Sequence, residues 1–203
     1  MTSTDERATR AARRRDDLVD RLMEVFLDRG FADLSVAELA AVLRCSKSTL
    51  YAVAASREQI IVAVVRAFFR RATERVEAVL DASADPRERV GAYLRAISAE
   101  LAPASPAFFA DLDAFAPARE IYKRNTRYAV RRVRGLVREA FPDGAGAAAD
   151  AAFVGAVAGQ VMEAIHRGEI EAETGLDDSA AYAALASLIV ARMTASGPAG
   201  SVP

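Results

Sequence analysis

The stretch SVAELAAVLRCSKSTLY, residues 35–51, decides the fold. Ser35 followed three residues later by Glu38 is a capping-box pattern, and it opens a short helix through about Val42 with Val36, Leu39 and Ala40 turned inward. Leu43, Arg44 and Cys45 make a three-residue connection, and Ser46 caps a second short helix that ends near Val53. Two helices joined this tightly have the length pattern of a helix-turn-helix, whose second helix enters a major groove while the first crosses the backbone. At 100° per residue, Leu50 and Val53 fall within about 40° of Ser46, opposite Lys47, Ser48, Tyr51 and Ala52. One side therefore packs, and the other is small, polar and cationic. Such a surface can approach a duplex closely: Lys47 reaches a phosphate or a guanine edge, Ser48 and Thr49 offer short donors, and Tyr51 gives a hydroxyl to phosphate.

Working outward, apolar residues recur near every 3.6 positions almost everywhere, and no stretch alternates long enough for a strand. An all-α fold of about nine helices is predicted. The first runs from about Ala8 to Arg29 with Leu18, Leu22, Val25 and Phe26 on one face, and Gly30 supplies a left-handed stop. Ser56 with Gln59 is a third capping box, opening a long helix with Ile61, Val64, Val65, Phe68, Ala72, Val76 and Leu80 inside. Asp85-Pro86, Ser105-Pro106 and Pro117 begin three more, ending near Leu101, Phe115 and Ala140. Residues 141–146 read as a loop, two helices follow over about Ala147–Arg167 and Asp178–Thr194, and residues 196–203 read as a disordered tail. The one candidate domain boundary is the capped break near Ser56. It separates a three-helix head, residues 1–56, from a helical body, residues 57–195.

The chain has 203 residues, 52% apolar and 27% charged, with a formal net charge of −1. That is enough to bury a sizeable core and leaves any nucleic-acid contact to a local patch. The amino terminus is polar and charged, and no stretch is expected to reach the apolar length of a bilayer crossing, so the reading is cytoplasmic with no membrane partner. One cysteine and one histidine exclude an internal disulfide and most zinc cages, and no metal or cofactor is expected. There is no Ser-His-Asp or Cys-His set and no glycine-rich phosphate loop, so no catalytic residue is assigned.

The head resembles the TetR family of bacterial transcriptional regulators. The run Phe26 to Gly30 and Phe31, then Ser35-Val36, Leu39-Ala40, Ser46-Lys47-Ser48-Thr49-Leu50-Tyr51 and Ser56-Arg57-Glu58 follows that family's amino-terminal pattern in order and without gaps, over about Leu18 to Ile61. The resemblance implies that Ser35 and the start of its helix bind backbone phosphate. It also implies that Lys47, Ser48, Thr49 and Tyr51, on the helix capped by Ser46, form the DNA face, and that Arg57 stands where the family has a phosphate-contacting Lys. Arg44 replaces the usual turn Gly, Ser48 another frequent Gly, and Ala52 and Ala54 a polar or aromatic pair. Arg44 can hold the turn at some strain and add a phosphate contact.

The family further implies an effector cavity among the central helices. Its candidate lining is Phe68, Tyr93, Phe108, Phe109, Phe115, Tyr122, Met162 and His166, although the same side chains would fill a dry core. Asp111 and Asp113 would select a cationic ligand if they point inward; exposed carboxylates are the alternative. The last two predicted helices are rich in Ala with Gly155 and Gly159, and carry Phe153, Val157, Val161 and Ile165, then Leu185, Leu188 and Ile189. Two such helices from each of two subunits would make a four-helix bundle and a homodimer. Arg7, Arg10, Arg13, Arg14 and Arg15 read as a DNA-binding arm or as a solvated terminus, and Cys45 as a packed thiol. The basic run Arg119, Lys123, Arg124, Arg127, Arg131, Arg132, Arg134 and Arg138 reads as a solvated face, one that could also meet the acid-rich residues 145–203 within the fold or across a dimer. The sequence thus predicts a dimeric regulator of a double-stranded DNA operator, a repressor whose affinity a small-molecule effector lowers. An effector-independent DNA-binding protein and an all-α small-molecule-binding protein stay open as alternatives.

Overall fold

A computed structural model describes residues 3–81, 85–141 and 147–195, and these hold ten α-helices and no strand. The chain forms two compact units, Met1–Arg71 with Pro103–Tyr122, and Ala72–Ala102 with Lys123–Pro203. The first unit contains α1 (Ser3–Arg29), α2 (Val36–Val42), α3 (Lys47–Tyr51), α6 (Pro106–Ala114), the first part of α4 (Arg57–Asp81) and the start of α7 (Ala116–Ala140). The second contains the remainders of α4 and α7, with α5 (Pro86–Leu101), α8 (Ala147–His166), α9 (Glu169–Thr174) and α10 (Asp178–Ala195).

The first unit is larger than the expected head of residues 1–56, because aromatic side chains beyond the head pack into it. Phe31, near the start of the α1–α2 connection, meets Phe108 of α6 edge-on at 6.1 Å, and Phe108 in turn meets Phe68 of α4 at 5.6 Å. The expected inner residues of α4 are all buried, joined by Ile60 and Phe69.

In the second unit α5 lies against α10, with Ser98 Oγ donating to the Ser179 carbonyl at 2.8 Å and Ser179 Oγ to the Ser98 carbonyl at 3.0 Å. Where α7 crosses α8, a Cβ at Gly159 would stand 3.1 Å from Val130 Cγ1 and still nearer the Arg134 guanidinium, so the absence of a side chain there permits the approach. One described segment, Ala148–His166, is long and apolar enough to cross a membrane, where none was expected. Ala151, Val154, Ala158, Met162 and Ile165 are buried at helical spacing, so packing within the unit accounts for one side of this helix, while Phe153 and Val157 on another side are exposed.

One predicted boundary moves by several residues and one helix is new. α1 begins at Ser3 rather than Ala8, and α9 occupies a stretch read as a connection. No apolar periodicity signals α9, since none of its residues is buried. The expected tail, residues 196–203, and positions 142–146 of the expected loop lie outside the described residues.

Candidate nucleic-acid interface

The head is built around Leu18, Leu22 and Phe26 of α1, Leu39, Leu43, Leu50 and Val53, all buried. Ser35 closes the capping box that starts α2: its Oγ accepts from the Glu38 amide at 3.2 Å, and its own amide donates to Glu38 Oε2 at 2.8 Å. The Ser35 hydroxyl beside the Glu38 carboxyl, and after it the bond from the Ser35 amide, hold that carboxyl below its usual 4.5. The end of α2 is fixed by two backbone bonds, Arg44 N to Ala41 O at 3.1 Å and Cys45 N to Ala40 O at 2.9 Å, the Schellman arrangement. That arrangement requires a left-handed residue, and Arg44 supplies it at φ +50°, the one non-glycine with positive φ among the described residues. Its side chain is exposed, while the Cys45 thiol is half-buried rather than fully packed.

Ser46 caps α3, accepting from the Thr49 amide at 3.1 Å. Leu50 and Val53 are buried, whereas Lys47, Ser48, Thr49, Tyr51 (46% exposed) and Ala52 face solvent. The Ser48 and Thr49 hydroxyls are engaged at the start of the helix, lying 2.7 and 2.8 Å from Ser46 Oγ. The side chains of Lys47, Arg44 and Tyr51 make no bond to other described residues. The exposed side of α3 is thus a cationic and phenolic surface carried on hydroxyls that are already oriented.

The connection between α1 and α2 is gripped from two directions. Arg57, at the first position of α4, donates through Nε to the Leu34 carbonyl at 2.7 Å and through Nη2 to those of Phe31 at 2.7 Å and Ala32 at 2.6 Å. These donors are spent on the protein, not held out toward a phosphate as the resemblance implied. Asp111 of α6, read as ligand-selecting or exposed, instead accepts from the Phe31 amide and, at 2.7 Å, from the Ala32 amide. Gly30 sits at φ +76°, where a Cβ would collide with Asp111 Oδ2. The arm also needs correction: Arg15 donates to the Val53 carbonyl at 3.2 Å, and Arg21 bonds the Leu43 carbonyl, so α1 braces both short helices. Arg10, Arg13 and Arg14 are exposed, and the Arg7 side chain lies outside the described residues.

Of the candidate effector-lining residues, Phe68, Phe108, Phe109, Phe115 and Tyr122 fall in the first unit. They join Phe26, Phe31 and Phe69 in one chain of ring contacts, including a stacked Phe69–Tyr122 pair at 5.1 Å. Phe115 also lines a groove of about 370 Å³ with Glu58, Gln59, Val62, Ala63, Arg66 and Pro117. None of those six partners was assigned to a ligand site from the sequence, although Glu58, Gln59, Val62, Ala63 and Arg66 share one face of α4. Tyr93, Met162 and His166 belong to the second unit, the first two buried and the last half-buried.

Of the candidate dimer residues, Phe153 (68%), Val157 (42%) and Leu188 (70%) are exposed and Val161 is half-buried, while Ile165, Leu185 and Ile189 are buried in the core of the second unit. The exposed members lie on α8 and α10, which pack on each other.

No protein-family model matches the chain. A curated relative, the HTH-type transcriptional regulator BetI of Rhizobium meliloti, is 32% identical over 82 residues, a match spanning 40% of this chain and 40% of the relative. Among solved structures, a transcriptional regulator from Saccharomonospora viridis in complex with choline superposes with TM-score 0.65 at 15% identity, over 88% of this chain and 96% of its own. A TetR-family regulator from Streptomyces coelicolor gives 0.63 at 18% identity, over 96% of each chain. One from Agrobacterium tumefaciens gives 0.61 at 14%, over 90% of this chain and 98% of the other. The fold of this chain is that of the TetR-family regulators.

Proposed function

We propose that this chain, which has the TetR-regulator fold and resembles a helix-turn-helix regulator over part of its length, is itself a ligand-responsive transcriptional regulator of that type rather than an enzyme. The observation that carries the reading is the division of α3: Leu50 and Val53 anchor it, and Lys47 and Tyr51 are exposed and uncommitted. In this reading residues 1–56 are the DNA-binding head and residues 57–195 the effector and dimer body. The exposed Phe153, Val157 and Leu188 support a homodimer, because apolar side chains this open are covered at an interface. Two heads would then engage half-sites whose centres lie about 34 Å apart along the duplex.

The proposed output is repression relieved by a small molecule. The groove on α4 is of ligand size, and the neighbour solved with choline supports testing small cations first. A ligand that prefers a wrongly spaced arrangement of heads lowers operator affinity by its differential affinity for the two states.

Selection of bound sequences from random duplex DNA, repeated with candidate ligands, tests the reading. Recovery of a two-half-site sequence with a steep salt dependence is expected. Lys47→Glu should lower affinity for that site at least about tenfold, since each base or phosphate contact is worth about 1–3 kcal/mol, while the dimer persists. Equal binding by parent and variant would overturn the assignment.

A further inference from the structure

Eight basic side chains lie along α7, and the structure separates those already in use from those that are not. Arg119 bonds the Asp113 carbonyl at 2.8 Å, Arg132 Nε lies 3.1 Å from Glu77 Oε2, and Arg134 reaches the Gly155 carbonyl. Lys123, Arg124, Arg131 and Arg138 are exposed and have no ion-pair partner among the described residues. Arg124, Arg131 and Arg138 recur every seven residues, so they stay within about 40° of one another over about 21 Å of helix. Three like charges on one line repel one another, and a line that no internal carboxylate neutralises is suited to an external anion.

The same chain carries a segment with complementary needs. α9 has six residues, none buried, and stands between two left-handed glycines, Gly168 at φ +71° and Gly175 at φ +73°. A helix of that length is far below the roughly 12–15 residues an isolated helix needs in water. It contains Glu169, Glu171 and Glu173; Glu169 pairs with Arg167 at 2.5 Å, and Glu171 and Glu173 have no ion-pair partner among the described residues. The wider stretch, residues 145–203, holds seven acidic and two basic residues, a balance that would repel a phosphate backbone approaching this part of the chain.

We infer that the basic ridge of α7 is a docking surface for α9 of a second copy of this chain. The inference rests on the proposed homodimer and gives it a charged flank. α9 follows α8 directly, and α8 carries the exposed Phe153 and Val157, so the acidic helix adjoins the apolar face along the chain, while α7 packs on the side of α8 that bears Gly155 and Gly159. Under twofold symmetry the contact occurs twice, ridge to helix and helix to ridge. Its charges lie at the rim, where they set register and encounter rate and are screened by salt.

The test is the dimer dissociation constant by sedimentation equilibrium at low and high salt, for the parent, for a triple variant Arg124→Glu/Arg131→Glu/Arg138→Glu, and for Glu171→Arg/Glu173→Arg. Each variant alone should dimerise about tenfold more weakly at low salt, and the loss should shrink at high salt. The two variants mixed should form a heterodimer tighter than either homodimer, because both of its contacts then pair opposite charges. Unchanged constants for both variants, with Phe153→Glu/Leu188→Glu still breaking the dimer, would overturn the inference and leave the homodimer standing. A parent that stays monomeric would remove both. If the triple variant lost affinity for random-sequence duplex DNA while dimerising normally, the ridge would be a nucleic-acid surface and the inference would fail.

Discussion

Replacing Asp111 with Ala should destabilise the amino-terminal head from a position about 80 residues away in the chain. The Asp111 carboxylate accepts the amides of Phe31 and Ala32. Hydrogen bonds to a charged group contribute about 1.5–3 kcal/mol each, and a buried donor left without a partner costs about 1–3 kcal/mol. The two amides are not equivalent: the Ala32 bond is exposed, so water replaces it, whereas Phe31 is 2% exposed and its amide has no such recourse. The expected cost is therefore about 3 kcal/mol, which for a chain of this size lowers the melting temperature by about 6–12 °C. Asp111→Asn keeps an acceptor oxygen of neutral strength and should lose about half as much. Thermal unfolding followed by circular dichroism reads both variants, and operator affinity should fall with them because the gripped loop leads directly into the Ser35 cap. If Asp111→Ala melted within about 1 °C of the parent, the carboxylate would not be holding the loop and the reasoning would be refuted.

Two further outcomes follow from single positions. Arg44→Gly removes a left-handed non-glycine, a conformation costing roughly 1 kcal/mol, and should raise stability by about that amount. If Arg44 also meets a phosphate, the same variant lowers the salt slope of DNA binding by about one; no gain in stability would rule out strain, and an unchanged slope would rule out the contact. Burial pushes the phenols of Tyr93 and Tyr182 well above their ordinary value of 10. The folded state keeps them neutral while the unfolded chain ionises, so their stability is complete below pH 10 and declines above it, by about 1.4 kcal/mol per pH unit for each. Tyr182→Phe should lower that alkaline slope in denaturant titrations by about 1.4 kcal/mol per pH unit, and an identical slope would contradict the assignment.

The sequence makes the helices and the reading face legible because those depend on neighbours along the chain. The capping box at Ser35, prolines at first turns and the 100° spacing of Leu50 and Val53 are local signals, and each appears in the structure as expected, whereas at Ser56 only the side-chain cap forms and Gln59 Oε1 accepts from the Ala55 amide instead. What escapes is long-range polar pairing. Nothing near Asp111 signals that two amides 79 and 80 residues away end on it, and Arg57 carries no mark separating a phosphate contact from three internal carbonyls. α9 escapes for the opposite reason: a helix with no buried residue leaves no periodicity to find.

The grip on the α1–α2 connection bears on how the proposed response would operate. Ser35, α2 and the turn into α3 all follow a loop whose carbonyls end on α4 and whose amides end on α6. The position of α3 is therefore tied to the relative placement of Arg57 and Asp111, two side chains on different helices of the same compact unit. A tenfold change in operator affinity requires about 1.4 kcal/mol, no more than one of the charged hydrogen bonds in this grip. A ligand seated between Phe115 and the face of α4 that starts one residue after Arg57 would need to favour only a slightly displaced arrangement of those two helices, because the loop converts their displacement into a movement of α2 and α3.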